Sequence, residues 1–241
     1  VVTNDILLFP SRKHPISLRI SSIFASLQEE EDRAWSQRCH VRCLRAGENL
    51  VDHADESTDL FLLQSGEVRA VLRFGVGKEA IVGVFRRHEL MGELSAIDEM
   101  PRAASLTAVN DSVVTVIPSA VFNDILGSKP QVNKAVLQLL SLRMRQLNDR
   151  VSELSFLDTK HRLYNTLLRL SRIRMDGGGE RVISPPIVHS ELAEHIGSSR
   201  ETVSREMARL MREALVERTS RAIILKDPGE LSSRISRALQ N

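Results

Sequence analysis

"HSELAEHIGSSRETVSREMARLMREALV", residues 189–216, decides how the chain is read. Ala193 is small where two helices must approach, Gly197 four residues later permits a sharp turn, and Val203, six beyond that, points back toward a core. This spacing is that of a helix-turn-helix. Ser198 or Ser199 can cap the second helix, with Glu201 three residues after Ser198 as a capping-box partner. Downstream, "LVERTSRAIILKD" (215–227) is two short apolar runs around a polar turn, which predicts a hairpin or wing. At the start of the second helix Arg200, Glu201, Ser204 and Arg205 fall on one face. Arginine pairs bidentately with guanine and glutamate accepts from cytosine N4, so this face suits double-stranded DNA. Ser199 and Thr202 complete it, and in the wing Arg221, or Arg218 beside it, is expected on phosphates.

Working outward, charge agrees. Residues 159–241 hold 15 Lys and Arg against 10 Asp and Glu, whereas residues 1–158 hold 18 against 21. On the N-terminal side, "RMDGGGERVISPP" breaks the helical pattern with glycines and prolines and reads as a linker. Before it, apolar residues at Val136, Leu140, Met144, Leu147, Val151 and Leu154 settle into alternating steps of four and three, a seam that predicts a long helix pairing with its copy in a homodimer. The alternative is a stripe packed on the chain's own barrel.

From Val41 to Ile117 short apolar runs ("LFLLQ", "EVRAVLRF", "EAIVGVF", "SVVTVI") alternate with Gly, Asp, Asn and Ser clusters, with Gly47 and Gly66 at corners. That texture predicts a small antiparallel barrel or roll, and residues 15–40 before it read as helical. With 42% hydrophobic side chains the chain can bury ordinary cores. No segment approaches the roughly 18 apolar residues of a membrane helix, so a cytoplasmic protein with no membrane partner is expected. Cys39 and Cys43 match neither a disulfide framework nor a zinc spacing. His40, His53 and His88 stand singly, without the clustering of a metal-dependent enzyme roll, and no Ser-His-Asp set or phosphate-cradling glycine loop is visible; neither catalytic nor metal-binding residues are expected.

Inside the roll, "GELSAIDEMPRAAS" (92–105) sets Glu93 and Arg102 at the two ends of a small and apolar run. An anion-binding corner needs backbone N–H groups at a helix start and a fixed cation. Gly92 allows close approach, Leu94–Ile97 can form one turn beside Ser95, and Arg102 supplies the fork. Glu93 would repel a phosphate but can accept from a sugar hydroxyl, so the corner suits a ribose phosphate. A Glu93–Arg102 salt bridge closing a loop is the plainer alternative. On the ligand reading, Arg102→Leu abolishes nucleotide binding and leaves the fold intact.

From about Ile23 to Asp227 the chain resembles the cyclic AMP receptor branch of the CRP/FNR family of bacterial transcription regulators. "GELSAIDEMPRAAS" is similar to that family's phosphate-binding cassette and "SSRETVSRE" to its recognition helix. The resemblance implies an α+β protein: an N-terminal cyclic-nucleotide-binding β-roll, jelly-roll-like, over residues 15–130, a long dimerisation helix over 131–157, and a C-terminal winged helix-turn-helix over 158–230. It implies that Glu93 binds the ribose 2′-hydroxyl and Arg102 the cyclic phosphate, with Gly92, Ser95 and the backbone N–H groups of Leu94 and Ala103 completing the cradle. It also implies a TGTGA-like half-site read by Arg200, Glu201 and Arg205, and RNA polymerase as a further partner. The purine would meet the long helix near Arg143, Leu147 and Asn148, where Leu147 and Asn148 replace a Thr-Ser pair; the Asn148 amide offers both donor and acceptor. Ala103 stands where a Thr accompanies cyclic GMP preference, so cAMP is the expected effector. The alternatives are cGMP, another effector, or no ligand at all. The iron–sulfur branch, which needs four cysteine ligands, is not matched.

Overall fold

The computed structural model describes residues 16–73, 79–174 and 178–240. Pro15, the start expected for the roll, and Asp176–Gly177 of the glycine run lie outside the described residues. By Cα packing the chain forms two units, residues 1–69 with 84–137 and residues 70–83 with 138–241.

The segment expected to be helical over 15–40 is broken. Two 3-10 turns (Leu18–Ile20 and Ser22–Phe24) precede α1 (Glu29–Ser36), whose N-cap Gln28 and Glu31 form a reciprocal capping box. The reason is local. Asp32 is buried, accepts from the Leu18 N–H at 2.7 Å and the Ser17 hydroxyl at 2.7 Å, and so draws the chain before α1 back across the helix.

The roll follows as β1 (His40–Leu44), β2 (Asn49–Val51), β3 (Leu60–Ser65), β4 (Val68–Arg73), β5 (Glu79–Phe85), β6 (Leu90–Met91), α2 (Glu93–Asp98), β7 (Ser105–Ala108) and β8 (Ser112–Ile117). These strands make two four-stranded sheets, ordered β1-β8-β3-β6 and β2-β7-β4-β5. In the first, β3 pairs antiparallel with β8, Leu60 opposite Ile117 and Leu62 opposite Thr115. Leu60, Leu62, Leu63, Val114 and Ile117 are fully buried, which explains why β3 reads as an apolar run rather than an alternation. Gly47 and Gly66 take the positive φ expected of corners.

Two helices close this unit. In α3 (Ser119–Ser128) Val121, Phe122 and Ile125 face inward, and α4 (Pro130–Phe156) begins by burying Val132 and Val136. The first position of the predicted seam, Val136, thus belongs to the chain's own core. Leu140 is half-buried, and farther along α4 Met144, Leu147, Val151 and Leu154 are 51–66% exposed, so the single chain leaves the stripe uncovered from Met144 on. At 27 residues the helix spans about 40 Å.

The remaining elements are α5 (Thr159–Leu170), β9 (Arg172–Ile173), β10 (Arg181–Ile183), α6 (His189–Ile196), α7 (Arg200–Arg212), β11 (Val216–Arg218), β12 (Ile223–Leu225) and α8 (Pro228–Ala238). The segment read as a linker carries a strand, β10, which with β9 just before that segment extends the wing hairpin into a sheet ordered β11-β12-β10-β9. Leu163, Leu167, Leu192, Ile196, Val203, Met207, Leu210, Ile223 and Leu231 form one apolar cluster beneath it. Among the described residues no helix is long and apolar enough to cross a membrane.

Candidate effector and DNA-binding sites

Gly92 is the N-cap of α2 at φ 80°, ψ 13°, a conformation that costs an L-residue about 1–2 kcal/mol. Space adds to the demand. A Cβ at this position would lie 2.8 Å from Arg102 Nη1 and 3.2 Å from the Asp59 carbonyl oxygen. The close approach brings α2 over the Arg102 side chain, which is 3% exposed, and Glu93 and Ser95 are buried to the same degree. Leu94, Ile97 and Met100 point outward, and Ala103 is exposed.

Arg102 is fixed on all three of its nitrogens. Nε donates to Ser57 Oγ (3.1 Å), Nη1 to the Gly92 carbonyl (3.0 Å) and Nη2 to the Asp59 carbonyl (2.7 Å), while the guanidinium lies 5.2 Å from the Phe61 ring centroid. Its backbone donates to the Asp55 carbonyl at 2.8 Å and accepts from the Ala54 N–H at 2.9 Å. Burial lowers the Arg102 pKa from its ordinary value, opposed by the negative charges of Asp55, Asp59 and Glu93. Asp55 in turn is held below the usual carboxylate range by hydrogen bonds from Ser57 and by the Arg102 charge. An arginine so placed joins three chain segments, and its loss removes the guanidinium donor from the part-buried Gly92 and Asp59 carbonyls. These bonds argue that Arg102→Leu costs stability as well as nucleotide binding, against the expectation that it spares the fold. Sequence reasoning missed Ser57, Asp59 and Phe61; the polar run "DHADESTD" (52–59) was the available signal.

Glu93 and Arg102 belong to the first unit, whereas Arg143, Leu147 and Asn148 on α4 belong to the second. Leu147 and Asn148 are exposed and Arg143 is half-buried.

In the second unit α6 ends at Gly197 (φ 61°) and α7 begins immediately after Ser199, whose hydroxyl accepts from the Thr202 N–H at 3.2 Å. Ser199, not Ser198, is therefore the cap, and the Ser198–Glu201 box does not form. Glu201 instead takes hydrogen bonds from its own N–H and then from the Ser199 side chain, which hold its carboxyl below the usual range. Val203, Met207 and Leu210 are fully buried, which turns Arg200, Glu201 and Arg205 outward; Arg205 Nη2 reaches Thr202 Oγ1 at 3.4 Å. Ser204 is half-buried, and its hydroxyl meets His189 Nδ1 at 2.8 Å. The other ring nitrogen, Nε2, lies 2.8 Å from Arg218 Nη1 of β11. His189 is not singled out by the sequence, whereas Arg218 is expected there, like Arg221, on phosphates alone. Arg221 is exposed in a wing turn closed by Thr219, whose Oγ1 accepts from the Arg221 and Ala222 N–H groups at 3.2 and 3.0 Å.

Residues 41–129 match the cyclic nucleotide-binding domain family, and residues 161–234 match the Crp-like helix-turn-helix domain family. The chain is similar to the cyclic AMP receptor protein of Thermus thermophilus, 31% identical over 196 residues that cover 81% of this chain and 88% of that one. It is also similar to a CRP-like cAMP-activated global transcriptional regulator of Mycobacterium tuberculosis, 24% identical over 215 residues, 89% of this chain and 96% of that one. Its fold resembles that of a CooA mutant from Carboxydothermus hydrogenoformans, with a TM-score of 0.75 at 19% identity, covering 89% of this chain and 95% of that one. With a buried Glu-Arg corner in its roll and a capped recognition helix beside a wing, the chain belongs to the CRP/FNR family of effector-binding, DNA-binding transcription regulators, which are not enzymes.

Proposed function

We propose that this protein is a cyclic-nucleotide-responsive homodimeric regulator, with cAMP as its effector, that binds a palindromic TGTGA-like site. The observation that carries this reading is the buried Glu93–Arg102 corner closed over Gly92. There Arg102 bonds the cyclic phosphate, Glu93 accepts from the ribose 2′-hydroxyl, and Ser95 with the backbone N–H groups of Leu94 and Ala103 completes the cradle. Arg143, Leu147 and Asn148 supply the purine side. Two relatives named for cAMP and the absence of Thr after Arg102 favour cAMP over cGMP. Titration calorimetry with cAMP and cGMP tests it: tight cAMP binding is expected, and heat from neither nucleotide overturns it.

The uncovered stripe Met144, Leu147, Val151 and Leu154 supports pairing with a second copy. In a two-fold dimer the two α7 helices would enter successive major grooves roughly 34 Å apart, and effector contact near Asn148 would bias how the α4 helices pair. Arg200, Glu201 and Arg205 then read bases, Ser199, Thr202 and Ser204 support them, and Arg221 meets phosphate. RNA polymerase contact and a cytoplasmic setting belong to the same reading. A second reading, an effector other than cAMP, rests on two points: the three guanidinium nitrogens of Arg102 already have protein partners, and α4 carries Leu147 and Asn148 where the family resemblance sets a Thr-Ser pair.

A further inference from the structure

His189 sits where three parts of the DNA-binding unit meet: it opens α6, touches Ser204 of α7 and touches Arg218 of β11. The bonding fixes the ring's protons. A guanidinium can only donate, so Nε2 must accept from Arg218 and Nδ1 must carry the single hydrogen, which it gives to Ser204 Oγ. The charged groups facing the ring are Arg218 from β11 and Arg200 from α7, both cationic, while Ser204 is neutral. Protonation at Nε2 would delete the acceptor that holds Arg218 and set a third positive charge beside two.

We propose that His189 is a positioning residue that pins the wing arginine Arg218 against the recognition helix, and that protonating its ring releases Arg218 toward the DNA backbone. In the neutral state Arg218 is held to protein and the wing and α7 act as one surface. In the charged state the freed guanidinium and the imidazolium both add attraction for phosphate that carries no sequence information, so binding to arbitrary DNA strengthens at the expense of discrimination. Burial together with Arg218 and Arg200 holds the His189 pKa below its ordinary 6.5, so the neutral state prevails near pH 7 and the change falls on the acid side of 6.5.

The test uses the full-length protein and a random-sequence duplex of about 30 base pairs, with affinity measured against salt at pH 7.5 and 5.5. Binding at pH 7.5 reports on DNA recognition itself, separately from the switch. On acidification the slope of log Kobs against log salt should steepen by about one unit per subunit, with affinity near 0.1 M salt rising about five- to tenfold. His189→Gln keeps an acceptor for Arg218 but cannot titrate, and its steepening should be absent. Ring-nitrogen NMR of histidine-labelled wild-type protein should find the His189 hydrogen on Nδ1 at pH 7.5. An Nε2–H tautomer, a pH-independent slope in the wild type, or a His189→Gln variant that steepens as the wild type does would each overturn the proposal.

Discussion

At Gly92 a single missing methyl group governs the effector corner. The nearest atom to a Cβ there is Arg102 Nη1, the end of a side chain that could ordinarily move aside. This one cannot, because its other edges are bonded to Ser57 and Asp59. Gly92→Ala should therefore lose about 1–3 kcal/mol in urea unfolding through backbone strain and crowding. It should also weaken cyclic-nucleotide binding in calorimetry without touching the ligand; wild-type affinity in a folded variant would show that the guanidinium is not part of the site. Arg102→Leu strands the part-buried Gly92 and Asp59 carbonyls, so both its thermal midpoint and its nucleotide affinity should fall.

For the helices, the side that is covered decides what the other side does. In α7 the buried positions Val203, Met207 and Leu210 follow helical spacing, and this made the outward face readable from the sequence. Arg205→Ala should cost on the order of 1–3 kcal/mol and relax preference at one base pair, whereas Arg221→Ala should weaken all sequences alike and lower the salt slope by about one unit. A panel of half-site variants at two salt concentrations separates these outcomes. In α4 the seam residues from Met144 onward lack cover, so Met144→Asp with Val151→Asp should give a monomer in light scattering, since four carboxylates would meet across an apolar seam. What the sequence hid at this scale had short-range causes. Strands of two and three residues, β9 and β10, carry too few side chains to show an alternation, and adjacent serines at 198 and 199 look alike until the turn at Gly197 selects one. The helical reading of 15–40 failed because apolar spacing says nothing of a carboxylate such as Asp32 bonding backbone from another segment.

Across the whole molecule the same contrast holds between pattern and long-range partnership. The roll, the long helix and the winged domain were legible because strand texture, heptad spacing and helix-turn-helix spacing are local, whereas Ser57 and Asp59, two of the partners of Arg102, lie 45 and 43 positions earlier in the chain. Charge pairing in the second unit sets its response to acid. Hydrogen bonds from Arg209 and Arg234 hold Glu213 below the usual carboxylate range, and Arg234 does the same for Glu230. Groups with depressed folded values stabilise above their ordinary value of 4.5, and that contribution is lost as pH falls through the lower folded value. The urea midpoint should therefore drop from pH 5 toward pH 3, and Glu213→Gln with Glu230→Gln should flatten the drop. The bare stripe along the second half of α4 has a further consequence. Whatever free energy that surface releases on meeting its copy is governed by mass action, so the melting temperature should climb with protein concentration, and dilution alone would weaken the folded chain. The number of molecules per cell would then become an input to the regulator alongside its effector.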